Sequence, residues 1–245
     1  MKQAMNLGIG ILIFSLTVFL WLPQAAEAYN GRNNLAENVR SKIQVYYDQN
    51  FQVTNNAEGK VTINGQVKTL YDKLRIFEIA STVPGVREIE DNLYVDTPIV
   101  PDDIIQTNVA EELKYNGSII EPDRIKVHVD NGIVFLRGTV SFFREKLEAE
   151  TVASWQKGVK GIDNELTVLP PQKVVSDSNL TNILQELLKN KFSLDKEVSF
   201  TVNDGTVTLN GKAAGLWDKN EIQKEFSRIL GVKKVVNNLS VVEDF

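Results

Sequence analysis

The chain has 245 residues, an apolar fraction of 42%, and 27 basic against 32 acidic side chains, for a net charge of -5. That mild acidity excludes the broad basic face on which nucleic-acid binders depend, and the absence of cysteine excludes both a disulfide framework and a lipid-modified cysteine. The length allows one large domain or two to three small ones, so the internal pattern decides.

The first 28 residues stand apart. Lys2 precedes an apolar run of 16 residues, Leu7 to Leu22, followed by Pro23 and the small-x-small triplet Ala26-Glu27-Ala28. This is the signal-peptide pattern, with cleavage expected after Ala28. The run is shorter than the ~20 residues of a spanning helix and is interrupted by Gly8, Gly10, Ser15 and Thr17. The expected product is exported and soluble in the periplasm; an uncleaved N-terminal anchor is the alternative.

From residue 29 the chain reads as a series of similar segments. In residues 29–97, Leu35, Val39 and Ile43 have helical spacing. Two alternating runs then flank Glu58-Gly59, and Ile76, Ile79, Ala80 and Val83 mark a second helix before Gly85 and the strand "IEDNLYV". Residues 98–171 follow the same order. Ile105, Val109 and Leu113 give a helix, Asn131-Gly132 a hairpin, Ala149, Val152 and Ala153 a second helix closed by Gly158, and "IDNELTV" a strand. In residues 172–245 the sequence is Leu180, Leu184, Leu187 and Leu188, then Asp204-Gly205, then Ile222, Phe226 and Ile229 before Gly231, then "VVNNLSV". Asn-Gly and Asp-Gly between alternating runs predict tight hairpins, because both central positions require positive φ. Glycine followed by valine after each second helix fits a left-handed C-cap.

The register is strict. Gly59, Gly132 and Gly205, then Gly65, Gly138 and Gly211, then Gly85, Gly158 and Gly231 are each spaced 73 residues apart. That period exceeds the roughly 20–50 residues of solenoid units, so each copy should be a small domain with its own core. The predicted fold is α+β: three tandem αββαβ domains, each a three-stranded mixed sheet covered by two helices, with domains at 29–97, 98–171 and 172–245. Gly65, Gly138 and Gly211 fall in or at the end of the second strand, where a bulge or a close backbone approach favours glycine.

The stretch Asp204-Gly205, Val207, Leu209, Gly211, its counterpart Asn131-Gly132, Val134, Leu136, Gly138, and the tail Val83 to Val86, Ile89, Asp91, Leu93, Val95 resemble the BON family. The first copy departs from that pattern at Ala57-Glu58 and Lys60. The resemblance implies a non-enzymatic periplasmic protein acting under osmotic or other envelope stress, with phospholipid as the suspected partner and no cofactor. Alternatives from other classes are an ion- or small-ligand-responsive module of the potassium-sensing type and a structural or chaperone-like spacer.

The residues themselves point to no catalytic device. His128, the only histidine, sits mid-strand without cysteine partners and reads as a solvent-facing residue, so no metal site is expected. The acidic groups at Glu88, Glu90 and Asp91, at Asp102-Asp103 and at Glu111-Glu112 read as solvated faces, since no nucleophile or oxyanion device accompanies them. The junction before each second helix carries Leu70-Tyr71, Phe142-Phe143 and Leu216-Trp217. Leu70, Phe143 and Leu216 fit a hydrophobic staple or buried first turn, whereas Phe142 and Trp217, with Trp155 as a weaker case, fit side chains that enter lipid headgroups. Basic residues concentrate near Trp217 in the sequence, among them Lys219, Lys233 and Lys234. The candidate lipid-binding set is therefore Phe142, Phe143, Trp155, Leu216, Trp217, Lys219, Lys233 and Lys234. The glycines are assigned structural roles.

Overall fold

The computed structural model describes residues 34–169, 175–192 and 197–242; the expected signal segment, residues 1–28, lies outside them. The first copy runs α1 (Leu35–Gln44), β1 (Gln52–Asn55), β2 (Lys60–Val67), α2 (Leu70–Ser81) and β3 (Glu88–Val95). The second runs α3 (Asp102–Tyr115), β4 (Ile125–Asp130), β5 (Ile133–Val140), α4 (Phe143–Ser154), β6 (Gly161–Asn164) and β7 (Thr167–Val168). The third runs α5 (Asp177–Leu187), β8 (Val198–Asn203), β9 (Thr206–Ala213), α6 (Leu216–Ser227) and β10 (Lys234–Val241).

In each copy the middle strand is the hairpin's second: it pairs antiparallel with the first and parallel with the strand beyond the second helix. Register follows the alternation, so Val61 and Ile63, Val134 and Leu136, and Val207 and Leu209 face inward and are buried. The helices cover that face with their own spaced residues, for example Ile105, Val109 and Leu113, all at most 2% exposed. The second copy's last strand is interrupted at Glu165–Leu166, with both β6 and β7 pairing with β5.

Two turns match the hairpin expectation: Asn131 has φ 52 and Asp204 φ 45, each followed by a positive-φ glycine. The first copy differs. Its strands close through Asn56 N–H to the Lys60 carbonyl at 3.0 Å, Ala57 to Gly59 form the loop, and only Gly59 has positive φ. The Asn56 side chain takes the Glu58 and Lys60 amides instead, at 3.0 and 2.9 Å.

The repeated glycines meet one another. A Cβ on Gly132 would lie 2.7 Å from the Gly158 carbonyl oxygen, and Lys160 N–H donates to the Gly132 carbonyl at 2.8 Å. The hairpin and the helix C-cap are thus welded by backbone alone, and the same bond recurs from Arg87 to Gly59 and from Lys233 to Gly205, each at 2.9 Å.

Residues Leu35 to Phe245 form one compact unit rather than three separate bodies. Each copy has its own core cluster, but each cluster admits a residue from another copy. Leu70 packs on the second copy's core, Phe143 on the third's, and Leu216 belongs to the first's. A head-to-tail contact repeated three times and returning to its start is a closed ring, here made within one chain. At its centre α2 packs against both α4 and α6.

Candidate functional site

The ring has three seams, each formed where the first turn of one copy's second helix meets the end of the second helix of another. In the first copy the amides of that turn are satisfied locally. At α2 the Thr69 side chain accepts from Asp72 N–H at 3.0 Å, and the Asp72 carboxylate accepts from Thr69 N–H at 3.1 Å, a capping box. Leu70, one residue on, packs against the second copy's core. Phe142 and Gly215 occupy the same N-cap position in the other copies, without a side-chain cap.

At the third-to-first seam, Leu216 is 8% exposed within the first copy's core, and Trp217 beside it is 38% exposed. Trp217 separates two hollows. One, of about 410 Å³, runs along Val83 to Arg87 and Gly215 to Asp218; the other, of about 290 Å³, is lined by Lys42, Tyr46, Arg75, Glu78, Ile79, Thr82 and Trp217. Val45 and Tyr46, just past α1, are exposed at 72% and 60%. Trp217 therefore stands among first-copy residues.

Electrostatics tie this seam. Lys224 pairs with Glu78 at 3.3 Å across it, and Arg75 pairs with Glu78 from the same helix. Burial opposes ionisation of Glu78, but Arg75 and Lys224 outweigh it and hold the carboxyl below its usual value. Asp218 is shifted upward by burial. The Tyr47 phenol is pushed up to about 12, by burial first and then by the charge of Asp72.

The sequence-predicted set is not brought together. Leu216 is a core residue of the first copy, so it is withdrawn from any lipid contact. Phe143 is half-buried against the third copy's core, and Phe142 carries the Arg144 guanidinium 5.2 Å above its ring. Trp155, 47% exposed, meets Tyr71 edge to face at 5.4 Å in the first-to-second seam. Lys234 pairs with Thr206 at the start of the β9–β10 ladder, whereas Trp217 follows the ladder's other end at Ala213. The ladder's eight paired positions at ~3.3 Å per residue put its two ends about 20 Å apart. Lys233 is bonded to Asp204 at 2.7 Å.

Lys219 stands at the position of a structural device that sequence reasoning missed, to which it contributes its backbone carbonyl. Its equivalents Lys73 and Lys146 donate to the Leu93 and Leu166 carbonyls at 2.8 and 2.9 Å. The amide of Asn237, like that of Asn164, reaches back to the helix, to the Lys219 and Lys146 carbonyls respectively. The signal was present as a lysine and an Asp or Asn kept at 73-residue spacing. The acidic clusters also have work: Lys60 pairs with Glu88 and Glu90 at 3.2 and 3.3 Å, and Asp102 accepts both turn amides of Asn131 and Gly132. Asp177 repeats that clamp on Asp204 and Gly205. His128 is exposed and stacks on Phe135. Among the described residues no group of His, Cys, Asp or Glu could hold a metal ion, and no helix is long and apolar enough to cross a membrane.

A family model described as the BON domain matches residues 32–97, 101–170 and 176–243. A curated relative, an uncharacterized protein in the gshII 5' region of Anaplasma centrale, is 28% identical over 143 residues, covering 56% of this chain and 93% of its own. Among solved structures, the C-terminal domain of CdsD, a structural protein of the type III secretion system of Chlamydia trachomatis, is 18% identical with TM-score 0.24, covering 86% of this chain and 98% of that one. A periplasmic fragment of the type III secretion inner-membrane protein PrgH from S. typhimurium is 13% identical with TM-score 0.21, covering 80% and 100%. Overall superposition with both is poor, and neither carries the functional argument.

Proposed function

The chain belongs to the BON domain family, with three copies in tandem, and from that premise we propose that it is a non-enzymatic, exported envelope protein that docks on anionic phospholipid. The observation that carries the reading is the ridge at the third-to-first seam, where Trp217, Tyr46 and Val45 are exposed beside Lys42 and Arg75. Tryptophan and tyrosine with a polar edge and an apolar body favour the headgroup level of a bilayer. A basic side chain near an anionic surface adds about 1 kcal/mol. The first and third copies supply this surface jointly, since neither has all of its residues. A role under osmotic or other envelope stress is the physiological setting that family membership suggests.

The test is co-sedimentation of residues 29–245 with phosphatidylglycerol vesicles and with neutral vesicles, at low and high salt. Binding that requires anionic lipid, weakens with salt and falls at least tenfold in Trp217→Ala/Tyr46→Ala supports the ridge. Equal binding by that variant, with its fold intact by circular dichroism, assigns any lipid contact elsewhere. No binding by the parent chain rejects the reading.

A further inference from the structure

We propose that the seam between the second and third copies binds a phosphate-type anion, held between Arg144 and Arg228. The three seams use the same positions and can be compared residue by residue. Where the first-to-second seam has Tyr71 edge-on to Trp155, the third-to-first seam has Trp217 beside Thr82. The corresponding pair between the second and third copies, 73 residues along from Tyr71 and Trp155, is Arg144 with Arg228. Both line one cavity of about 340 Å³ between α4 and α6, together with Lys224, Glu148, Ser118 and Thr151.

The lining brings three cations, Arg144, Lys224 and Arg228, to one cavity with a single carboxylate, Glu148. Like charges facing each other across an interface repel, and Lys224 and Arg228, four residues apart on one helix, repel again. Carboxylates outside the lining answer Lys224 and Arg228 and leave Arg144 without a salt-bridge partner of its own among the described residues. Glu78 and Glu221 pair with Lys224 at 3.3 and 3.8 Å, and Glu225 pairs with Arg228, all from outside the cavity lining. Glu148, inside it, accepts from the Asn116 amide at 3.0 Å. Arg144 makes no salt bridge among the described residues; its guanidinium lies over the Phe142 ring. An anion between the two guanidiniums gives Arg144 the salt-bridge partner it lacks among the described residues and Arg228 a second one, and phosphate matches the paired N–H geometry of arginine. Ser118 lies on the same wall, while the Thr151 hydroxyl there is already spent on the Leu147 carbonyl at 3.0 Å. The site is distinct from the Trp217 ridge, and its argument does not depend on that ridge. A soluble phosphate compound and a lipid headgroup share the chemistry it recognises.

Thermal unfolding of the full chain in inorganic phosphate and in chloride, at matched pH and ionic strength, tests the site. The expected result is a phosphate-specific rise in Tm, roughly 5–10 °C at a hundredfold excess over Kd, lost in Arg144→Gln/Arg228→Gln. A second variant, Arg144→Tyr/Arg228→Trp, copies the first-to-second seam; it should melt higher than the parent in chloride and ignore phosphate. No phosphate-specific rise in the parent, or the same rise in both variants, overturns the proposal. Once the rise is seen, phosphatidylglycerol vesicles separate the sources: loss of sedimentation in Arg144→Gln/Arg228→Gln assigns the headgroup, and unchanged sedimentation assigns a soluble phosphate compound.

Discussion

Replacing Leu216 with alanine tests whether the third copy is keyed into the first. Leu216 is 8% exposed and sits in the first copy's core cluster, with Val86 at 2% exposure in the same cluster. Truncating a buried leucine costs about 2–5 kcal/mol, the lost transfer energy plus the cavity left behind. A loss of about 3 kcal/mol lowers Tm by roughly 6–12 °C for a chain of this size. The size alone does not reveal which copy holds the residue, so the partner is chosen to discriminate. Val86 and Val232 are equivalent positions in the first and third copies, both 2% exposed. In urea denaturation, Leu216→Ala should couple to Val86→Ala by about 0.5–3 kcal/mol and be additive with Val232→Ala within about 0.5 kcal/mol. Coupling to Val232 instead, or a cost under about 0.5 kcal/mol, refutes the keyed ring.

Further outcomes follow from single residues. Glu145 is 1% exposed, and its Oε1 has no hydrogen-bond partner among the described residues. Burial raises its pKa against the pull of the Ser141 amide and Arg144. Since the folded value lies above the unfolded one, stability falls as pH rises from the ordinary glutamate range through the raised value, then levels. Glu145→Gln should flatten that slope in pH-dependent melts and raise Tm at neutral pH; an unchanged profile contradicts this. Glu78 has the opposite sign: its lowered pKa means stability present above the unfolded value and lost as pH falls through the folded one. Glu78→Gln should blunt that acid loss, by no more than about 1 kcal/mol for so exposed a pair, and a larger loss on acidification in the variant than in the parent argues against it. Gly132→Ala combines φ +78 with a Cβ 2.7 Å from the Gly158 carbonyl and should cost about 1–3 kcal/mol in urea denaturation; a neutral result removes the backbone weld as a stabilising contact.

Within each copy the fold was legible because local signals agreed. The alternation of Val134 and Leu136 and the Asn131-Gly132 turn named a hairpin, and helical spacing at Ile105, Val109 and Leu113 named its cover. The first copy's turn was misjudged because Asn56, three residues before Gly59, supplies the acceptor that a two-residue turn lacks. What sequence could not reveal was between the copies. Leu70, Phe143 and Leu216 fit a buried first turn, and Phe143 and Leu216 also stand in the candidate lipid-binding set, because periodicity says only that a residue leaves solvent, not whose core receives it. For the same reason Lys233 and Lys234 seemed neighbours of Trp217: they are near in sequence, yet a parallel crossover puts them at opposite ends of one strand pair. The ridge residues Tyr46 and Lys42 carried no repeat signal at all.

Ring closure is tested most directly by zero-length carbodiimide coupling of the native chain at low concentration, followed by peptide mass spectrometry. Lys224 Nζ and Glu78 Oε1 are 3.3 Å apart, with both side chains part-exposed, and Lys224 lies 3.8 Å from Glu221 on its own helix as an internal control. The account predicts an intramolecular amide joining Glu78 to Lys224. Recovery of the Lys224–Glu221 product without the Glu78–Lys224 product would contradict the closed ring.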